Sequence, residues 1–246
     1  MISIVICTLN EEHYLPKLLE SIKLQDGVKY EIIIADAGSD DKTGEVALKY
    51  KEQGMPINLL VLKNLRNISA QRNKGAEAAI YDQLLFLDAD VVLPKNFLKI
   101  ALEEIQKKGI KVGGTKIYAA EDNFYYKSLY WNYSNIYLPV LRLFKPAVHG
   151  CCIFSTKGIH QKIGGFHEGV IFEDYRYGVD AAKYYRSKLL RKTAVKTSAR
   201  RFYNATFRSM IELFLAGIYS IFRAGIEGKY MKGYFKLSGK HSAPKY

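Results

Sequence analysis

Two aspartates, Asp88 and Asp90, directly follow an apolar run at residues 84–87. Such a run predicts a buried strand, and alternate residues that leave a strand can both face one bound ion. Carboxylate oxygens are the ligands that hard divalent cations take in proteins. The Asp-x-Asp spacing therefore predicts a site for a cation and a diphosphate, and the alternative interpretation is a polar turn that ends the strand.

Short apolar runs alternate with helical patterns through the first part of the chain. Strands are predicted at residues 2–7, 31–35, 57–62 and 84–87, and helices at residues 11–24, 43–53, 69–81 and 94–108. This order predicts an α/β fold with a mainly parallel sheet and helices on both faces. Ligands of such sheets bind beyond the carboxyl ends of the strands, so the polar residues there are the candidates for a site.

Polar residues follow the other predicted strands as well. Thr8, Asn10 and Glu11 come after the first strand, and Asp36 ends the second strand shortly before a glycine. Asp36 can accept a hydrogen bond from a base or ribose, and the glycine lets a ligand approach the backbone. For Thr8 and Asn10 we favour the interpretation that they cap the helices that follow.

The charge of the chain is concentrated near its C-terminus. The 246 residues are 48% hydrophobic and 25% charged, which is enough for one large domain, with or without an appendage. Residues 186–246 carry fourteen lysines and arginines against two glutamates, so they hold nearly all of the net charge of +13. A neutral body with a basic tail predicts a docking surface for anionic lipid or another polyanion.

Cysteine usage and the first residues predict that the protein stays inside the cell. The three cysteines form neither a metal-ligand pattern nor a disulfide framework, which favours a reducing compartment. The first apolar run is short and has no basic leader, so we expect no secretory signal.

The polar motifs, taken as an ordered set, resemble those of family-2 glycosyltransferases with the GT-A fold. They lie at residues 8–11, 36–43, 72–75 and 88–90, and later at residues 164–168 and 172–174. The resemblance extends to about residue 202. It implies a catalytic domain at residues 1–202 and leaves residues 203–246 as a basic amphipathic helical tail. One departure is Ala37, which stands where the family pattern has a second aspartate.

This resemblance implies a metal-dependent, inverting transfer of a sugar from a UDP- or GDP-linked donor to an acceptor hydroxyl or phosphate. It implies Mg²⁺ or Mn²⁺ as the cofactor, bound at Asp88 and Asp90. The donor-side residues that it implies are Thr8, Asn10, Glu11, Asp36, Arg66, Arg72 and Asp88. For Arg66 and Arg72 the alternative interpretation is a solvated start of a helix.

Asp174 is the predicted general base of this reaction. A carboxylate near the acceptor and partly desolvated has a basicity in the useful range, whereas the alternative is an acid that merely stabilises a helix N-terminus. Glu173 either orients acceptor hydroxyls or caps the helix that continues to residue 181. The residues that we predict to contact the acceptor or a phosphate are His149, Glu173, Arg176, Arg200 and Arg201. Adjacent arginines suit a diphosphate or lipid phosphate, or else form a solvated basic turn.

Two apolar segments are open to more than one interpretation, and for any single ring of the first segment we favour the protein core. Residues 124–148 are rich in aromatic rings, which can stack on sugars, lie at a membrane interface or fill the core. Residues 207–222 predict an amphipathic helix that is too short to span a bilayer and lies on a surface. The lysines that follow favour an anionic membrane over the protein's own core or another subunit. We therefore expect a peripheral protein at the cytoplasmic face of the membrane, with a lipid-linked acceptor as a hypothesis.

Two other functions fit part of the sequence. A nucleic-acid-binding protein would use the basic tail but would give no role to the Asp-x-Asp motif, so we expect no nucleic-acid partner. A sugar nucleotidyltransferase would share the crevice and the metal, but no glycine-rich phosphate loop follows the first strand.

Overall fold

The computed structural model describes residues 1–144, 146, 148–203 and 226–227. Its strands are β1 (Ile2–Thr8), β2 (Tyr30–Asp36), β3 (Ile57–Val61), β4 (Gln83–Asp88), β5 (Val91–Val92), β6 (Gly113–Ala119), β7 (Cys152–Thr156), β8 (Val170–Ile171), β9 (Lys188–Thr197) and β10 (Ile226–Glu227). Its helices are α1 (Leu15–Lys23), α2 (Thr43–Glu52), α3 (Ile68–Ala78), α4 (Phe97–Lys108), α5 (Phe124–Asn132), α6 (Leu138–Phe144), α7 (Lys157–Lys162) and α8 (Glu173–Ala181). A π-helical turn, Tyr133–Tyr137, joins α5 to α6, and a 3₁₀ turn, Arg200–Phe202, follows β9.

Eight strands form one sheet in the order β3-β2-β1-β4-β7-β6-β9-β5. Strands β1 to β4 are parallel, as the sequence predicts. Beyond β4 the sheet is mixed, because β7 runs antiparallel to both β4 and β6, whereas β6 and β9 are parallel. Strand β5 also runs antiparallel to its neighbour β9. The α/β class is confirmed, and the antiparallel strands β7 and β5 are parts of the sheet that the alternation of elements did not predict.

The central strands are largely apolar because helices cover both faces of the sheet, and a polar residue within them, Ser3 of β1, is hydrogen-bonded to Glu31 of β2. Every residue of β1 is buried, and a strand enclosed on both sides has no solvent-facing positions to fill with polar residues. Ile4 and Ile6 pack into the core on one face, and Val5 and Phe86 into the core on the other. This double cover holds the strand ends, and therefore the motifs that follow them, in fixed positions.

The four predicted strands and helices are present with shifted ends. The largest change is at α1, which begins at Leu15 because residues 9–14 form a loop that binds the neighbouring loop. Helix α4 begins at Phe97, after Asn96 adopts a left-handed backbone conformation with a φ of 60°. The predicted helix at residues 207–222 lies outside the described residues.

The strand register places the motifs at one edge of the sheet. Thr8 at the end of β1 pairs with Asp36 at the end of β2, and Cys7 pairs with Asp88 at the end of β4. The carboxyl ends of three parallel strands therefore lie side by side, and the loops that leave them meet at one crevice.

Candidate active site

The loops after β1 and β2 hold each other in place through hydrogen bonds from the backbone to side chains. The backbone N–H of Asn10 donates to Ser39 Oγ (2.9 Å), and the N–H of Glu11 donates to Thr43 Oγ1 (2.7 Å). In return, the N–H of Asp40 donates to Asn10 Oδ1 (2.8 Å). These contacts fix the direction in which the Glu11 side chain leaves the loop.

Asp36 organises this pair of loops. Its Oδ1 accepts from the hydroxyls of Thr8 (2.8 Å) and Ser39 (2.5 Å), and its Oδ2 accepts from the N–H groups of Gly38 (3.1 Å) and Ser39 (2.9 Å). The interpretation of Thr8 and Asn10 as helix caps is therefore wrong, because both bind the second loop. All four acceptor positions of Asp36 are taken, so a base or ribose would have to displace one of these donors, and that contact stays a prediction.

The Asp-x-Asp motif faces an arginine from the far end of the chain. Arg200 donates to both oxygens of Glu11 (2.7 and 2.8 Å), and its Nε lies 3.1 Å from Asp90 Oδ2. Burial, with the carboxyl groups of Asp88 and Glu11 nearby, raises the pKa of Asp90 to about 6 although Arg200 opposes the shift. The alternative interpretation of a solvated basic turn is therefore wrong for Arg200, whose guanidinium binds the carboxylates of Glu11 and Asp90.

Arg72 is the most deeply buried charged group of the site. Its guanidinium donates to Glu173 Oε1 (2.7 Å), to Asp88 Oδ1 (3.0 Å) and to the carbonyl oxygen of Gly150 (3.0 Å), and it lies over the ring of Phe166 at 5.0 Å. Burial works against its charge, but Glu173 and Asp88 more than compensate and raise the pKa of Arg72. The interpretation of Arg72 as a solvated helix start is wrong, because 1% of the residue is exposed.

The acidic pair Glu173 and Asp174 lies in the first turn of α8, on the other side of Arg72. Asp174 accepts from the backbone N–H groups of Gly150 (2.6 Å) and Tyr175 (2.7 Å). Burial raises the pKa of both carboxyl groups, and Arg72 opposes this shift in each. Glu173 does not cap the helix, since its carboxylate binds Arg72. Asp174 is therefore a carboxylate of raised basicity beside the crevice.

His149 lines the same region and is uncharged at neutral pH. Burial lowers the pKa of His149 to about 4, and its ring meets the ring of Tyr133 edge to face at 5.0 Å. Its buried Nδ1 has no hydrogen-bond partner within the described ranges. This nitrogen is a polar atom that a bound acceptor could satisfy.

Three predicted residues lie at the edge of the site or outside it. Arg66 is exposed and forms an ion pair with exposed Asp40 (3.1 Å) in the loop before α3. Arg176 turns along α8 to Asp180 (2.6 Å), and Arg201 is exposed. Their contacts with a nucleotide, acceptor or phosphate stay predictions.

The carboxyl groups fit a divalent cation that takes its remaining ligands from a substrate. Asp88 ends β4, Asp90 follows it, and both face the same crevice. Each has one oxygen engaged by an arginine, and the second oxygen of Asp90 accepts from the Thr197 hydroxyl (3.2 Å), so a cation there would displace that donor or share the oxygen with it. Among the residues that the structure describes, no three His, Cys, Asp or Glu side chains form a complete metal cluster. A cation here would have two protein carboxylates and would need diphosphate and water oxygens, which is the usual manner of Mg²⁺.

Three further side chains shape the site, and their sequence signals are weak. Gln71 donates to carbonyl oxygens at the ends of β1 and β2 (2.9 and 2.7 Å), and Thr197 donates to Asp90 (3.2 Å). The Tyr14 ring lies 4.4 Å from the Arg200 guanidinium. Gln71 and Thr197 lie close in sequence to arginines that the motifs single out, whereas nothing in the sequence marked Tyr14.

Comparison with known proteins identifies the family. The family model for glycosyl transferase family 2 matches residues 3–164, which is more than half of the chain. The chain belongs to glycosyltransferase family 2. The match includes the loops after β1, β2 and β4 and ends before Glu173, so the donor-side crevice lies within the matched region.

Solved structures similar to this transferase share its GT-A fold. The mannosyltransferase PcManGT from Pyrobaculum calidifontis, in complex with GDP-Man and Mn²⁺, has a TM-score of 0.66 at 16% identity. The match covers 96% of this chain and 68% of the PcManGT chain. S. aureus TarS 1-349 in complex with UDP-GlcNAc has a TM-score of 0.63 at 20% identity, covering 80% and 58%. The predicted GT-A fold is confirmed by these likenesses.

Curated relatives match the transferase over 36–52% of its length. The undecaprenyl-phosphate 4-deoxy-4-formamido-L-arabinose transferase of Photorhabdus laumondii is 32% identical over 138 residues, which are 52% of this chain and 40% of the relative. The chain spans less than half the length of the curated relatives that it matches. Among the helices that the structure describes, none is both long and apolar enough to cross a membrane.

Proposed function

We propose that the transferase moves a sugar from a UDP- or GDP-linked donor to an acceptor hydroxyl, with inversion at the anomeric carbon. One arrangement carries this proposal. Arg72 joins Asp88 of the donor-side motif to Glu173 of the acidic pair, at 3.0 and 2.7 Å. Arg72 thereby holds the donor-side motif and the acidic pair in one site, and this supports a reaction in which the donor and the acceptor meet between them.

The chemistry assigned to Asp174 is the removal of the acceptor proton. As the acceptor oxygen forms its bond to the anomeric carbon, the bond from that carbon to the diphosphate breaks, and the hydroxyl proton passes to the carboxylate. The raised pKa of Asp174 supports this role, since a base with a pKa closer to the working pH is the stronger catalyst. Two backbone N–H groups orient the carboxylate before substrate binds.

On the donor side, Asp88 and Asp90 would hold Mg²⁺ or Mn²⁺, which would supply positive charge to the departing diphosphate. Arg200 would keep Glu11 and Asp90 in position for that purpose. The complexes of PcManGT with GDP-Man and Mn²⁺ and of TarS with UDP-GlcNAc support a donor of this class.

A lipid-linked acceptor is the second part of the proposal. Its support is the name of the Photorhabdus relative, undecaprenyl-phosphate 4-deoxy-4-formamido-L-arabinose transferase, together with the basic C-terminal region of this chain. We place the transferase at the cytoplasmic face of a membrane, attached peripherally. If the acceptor group is a phosphate, it is already ionised at neutral pH and needs no general base.

The test is a screen of nucleotide-sugars by thermal shift with and without Mn²⁺, followed by an assay of the released product. We expect one donor class to raise the melting temperature, because ligands stabilise the folded state that binds them. Metal-dependent release of nucleoside diphosphate supports the proposal, and release of pyrophosphate supports a nucleotidyltransferase instead.

Two aspartates that flank β4, one before the strand and one after it, provide a test variant and its control. Asp90→Asn should abolish the metal dependence of donor binding. Asp82→Asn should not, because Asp82 is exposed at the opposite end of the same strand. Equal metal dependence in both variants would contradict the assignment of the metal to Asp88 and Asp90.

A further inference from the structure

The helical segment at residues 124–144 carries an apolar surface on its solvent side. Helix α5, the π-helical turn and α6 form it without a break, over a length of about 30 Å. We define its outer face by six exposed side chains: Phe124, Tyr125, Trp131, Ile136, Val140 and Leu143. Phe124 is 86% exposed and Leu143 is 74% exposed. Single exposed apolar residues are ordinary, but a concentration of them along one segment indicates a contact surface.

The opposite side of the segment is fixed to the protein. Tyr130 donates to the carbonyl oxygen of Ser198 (3.1 Å), and Ser134 donates to the carbonyl oxygen of Ile117 (2.6 Å). Leu141 is buried against Tyr175. The buried residues recur every three or four positions, so the segment cannot turn its outer face inward.

The composition of the outer face fits a lipid bilayer better than a second protein surface. Residues 124–144 contain no aspartate or glutamate, and their charged residues are Lys127 and Arg142. Tryptophan and tyrosine among aliphatic side chains are the residues that settle at a membrane interface. Lys127 pairs with Asp122, and Arg142 donates to the carbonyl oxygen of Ser187 (2.5 Å), so these two cations are not what favours the bilayer. The basic residues downstream of position 186 supply the attraction to anionic headgroups.

The inner side of the segment touches the candidate active site. The Tyr133 ring packs on His149 at 5.0 Å, and Leu141 packs on Tyr175, the residue after the predicted base. A bilayer against the outer face would therefore lie one helix diameter from the acceptor side of the crevice, which is about 10 Å.

We propose that the outer face of residues 124–144 rests on an anionic membrane and brings the acceptor side of the site to the headgroups, where a lipid-linked acceptor is presented. This inference rests on the proposed function for the identity of the acceptor, but the membrane contact itself does not require catalysis. A second copy of the chain, or another segment of it, would be an alternative occupant of the same face.

The test is flotation of the full chain with vesicles of equimolar phosphatidylcholine and phosphatidylglycerol, at low salt and at about 1 M salt, where the screening length falls to about 3 Å. Salt weakens attraction through the basic tail and leaves apolar contacts in place. We expect binding to persist at high salt and to fall at least about tenfold in the triple variant Phe124→Ser, Trp131→Ser, Leu143→Ser, because each exposed apolar side chain gains by leaving water.

A control variant removes three exposed apolar residues elsewhere on the protein. The triple variant Leu24→Ser, Leu48→Ser, Ile80→Ser should bind vesicles as the wild type does, since these residues lie on other surfaces of the fold. If the first variant does not fold, the single change Leu143→Glu, which sets a negative charge against the anionic lipid, serves in its place.

Three results overturn the proposal. The first is no binding of the wild type to vesicles, and the second is unchanged binding of the outer-face variant. The third is light scattering that shows a dimeric wild type and a monomeric outer-face variant, since a second copy would then occupy this face. Thermal shift with the donor separates this failure from failure of the proposed function. If the donor stabilises the protein but vesicles do not bind, the membrane proposal fails and the proposed glycosyl transfer does not. If vesicles bind but no donor stabilises the protein, the proposed function fails and the membrane proposal does not.

Discussion

The buried Arg72 allows a quantitative test of the site. Arg72→Met keeps much of the aliphatic stem and removes a charge that binds Asp88, Glu173 and the carbonyl oxygen of Gly150. Breaking a buried ion pair costs about 3–5 kcal/mol because the partners are left uncompensated. Each hydrogen bond to a charged group contributes about 1.5–3 kcal/mol, but the three share one guanidinium and do not add. We therefore expect a loss of about 3–5 kcal/mol in the free energy of unfolding.

Arg66→Met is the control for this experiment. Arg66 forms its ion pair with Asp40 at a similar distance, 3.1 Å, but both side chains are exposed to solvent. Exposed pairs contribute about 0–1 kcal/mol, so this variant should stay within about 1 kcal/mol of the wild type. Urea unfolding near neutral pH measures both. A loss in Arg72→Met no larger than that of Arg66→Met would refute the description of Arg72 as the charge that joins the two motifs.

The pH dependence of the free energy of unfolding of Arg72→Met is a second test of this description. Arg72 lowers the pKa of Glu173 and Asp174 against the effect of burial, so both pKa values should rise further without it. A group whose pKa is raised in the folded state stabilises that state at low pH and loses this contribution as pH rises through the folded pKa. The stability deficit of Arg72→Met should therefore be smaller in acid than at neutral pH, and the acidic limb of kcat/KM should move to higher pH. Equal deficits at both pH values would be evidence against this account.

Two other predictions concern residues of the site, and a third concerns a glycine that packs against Asn73 of helix α3. Burial raises the pKa of Asp90 from 3.8 to about 6, so Asp90→Asn should be more stable than the wild type above about pH 6 and equally stable below about pH 4, as urea unfolding would show. Asp174→Asn should lower kcat by about 10²–10⁴ with a hydroxyl acceptor while donor binding by thermal shift is kept, and an unchanged kcat would point to a phosphate acceptor. Gly165→Ala should cost at least about 2 kcal/mol, because its φ is +76° and its Cβ would lie 2.6 Å from Asn73 Oδ1. Gly169→Ala, at φ +78° with open space, should show only the backbone strain of about 1–2 kcal/mol, and equal losses in the two variants would exclude the clash.

Much of the donor side could be predicted because its signals are local. The apolar run of β4 and the two aspartates after it specify a strand end with paired carboxylates, whatever surrounds them. Asp36 was found in the same way, but its role was not, since the four donors that surround it come from two loops. Local sequence gives the position of such a residue, and its partners decide whether it faces a ligand or the protein.

The contacts of the arginines could not be predicted, because they join distant parts of the chain. Arg200 reaches Glu11 across 189 positions of the sequence, and Arg72 reaches Glu173 across 101. No periodic pattern in the sequence predicts either of these ion pairs. The local sequence around each arginine carries no sign of burial, and it therefore left open a solvated helix start for Arg72 and a solvated turn for Arg200.

The sequence by itself determined the α/β class, the first four parallel strands and the polar residues at their carboxyl ends, because hydrophobic periodicity and turn residues act over a few positions. The tertiary structure decided the rest. The antiparallel strand β7 turns the chain so that Gly150 and His149 enter the crevice, and helix α8 then sets Asp174 against the N–H of Gly150. Burial at that meeting point, which depends on every packed element around it, is what raises the basicity of Asp174 and keeps His149 neutral.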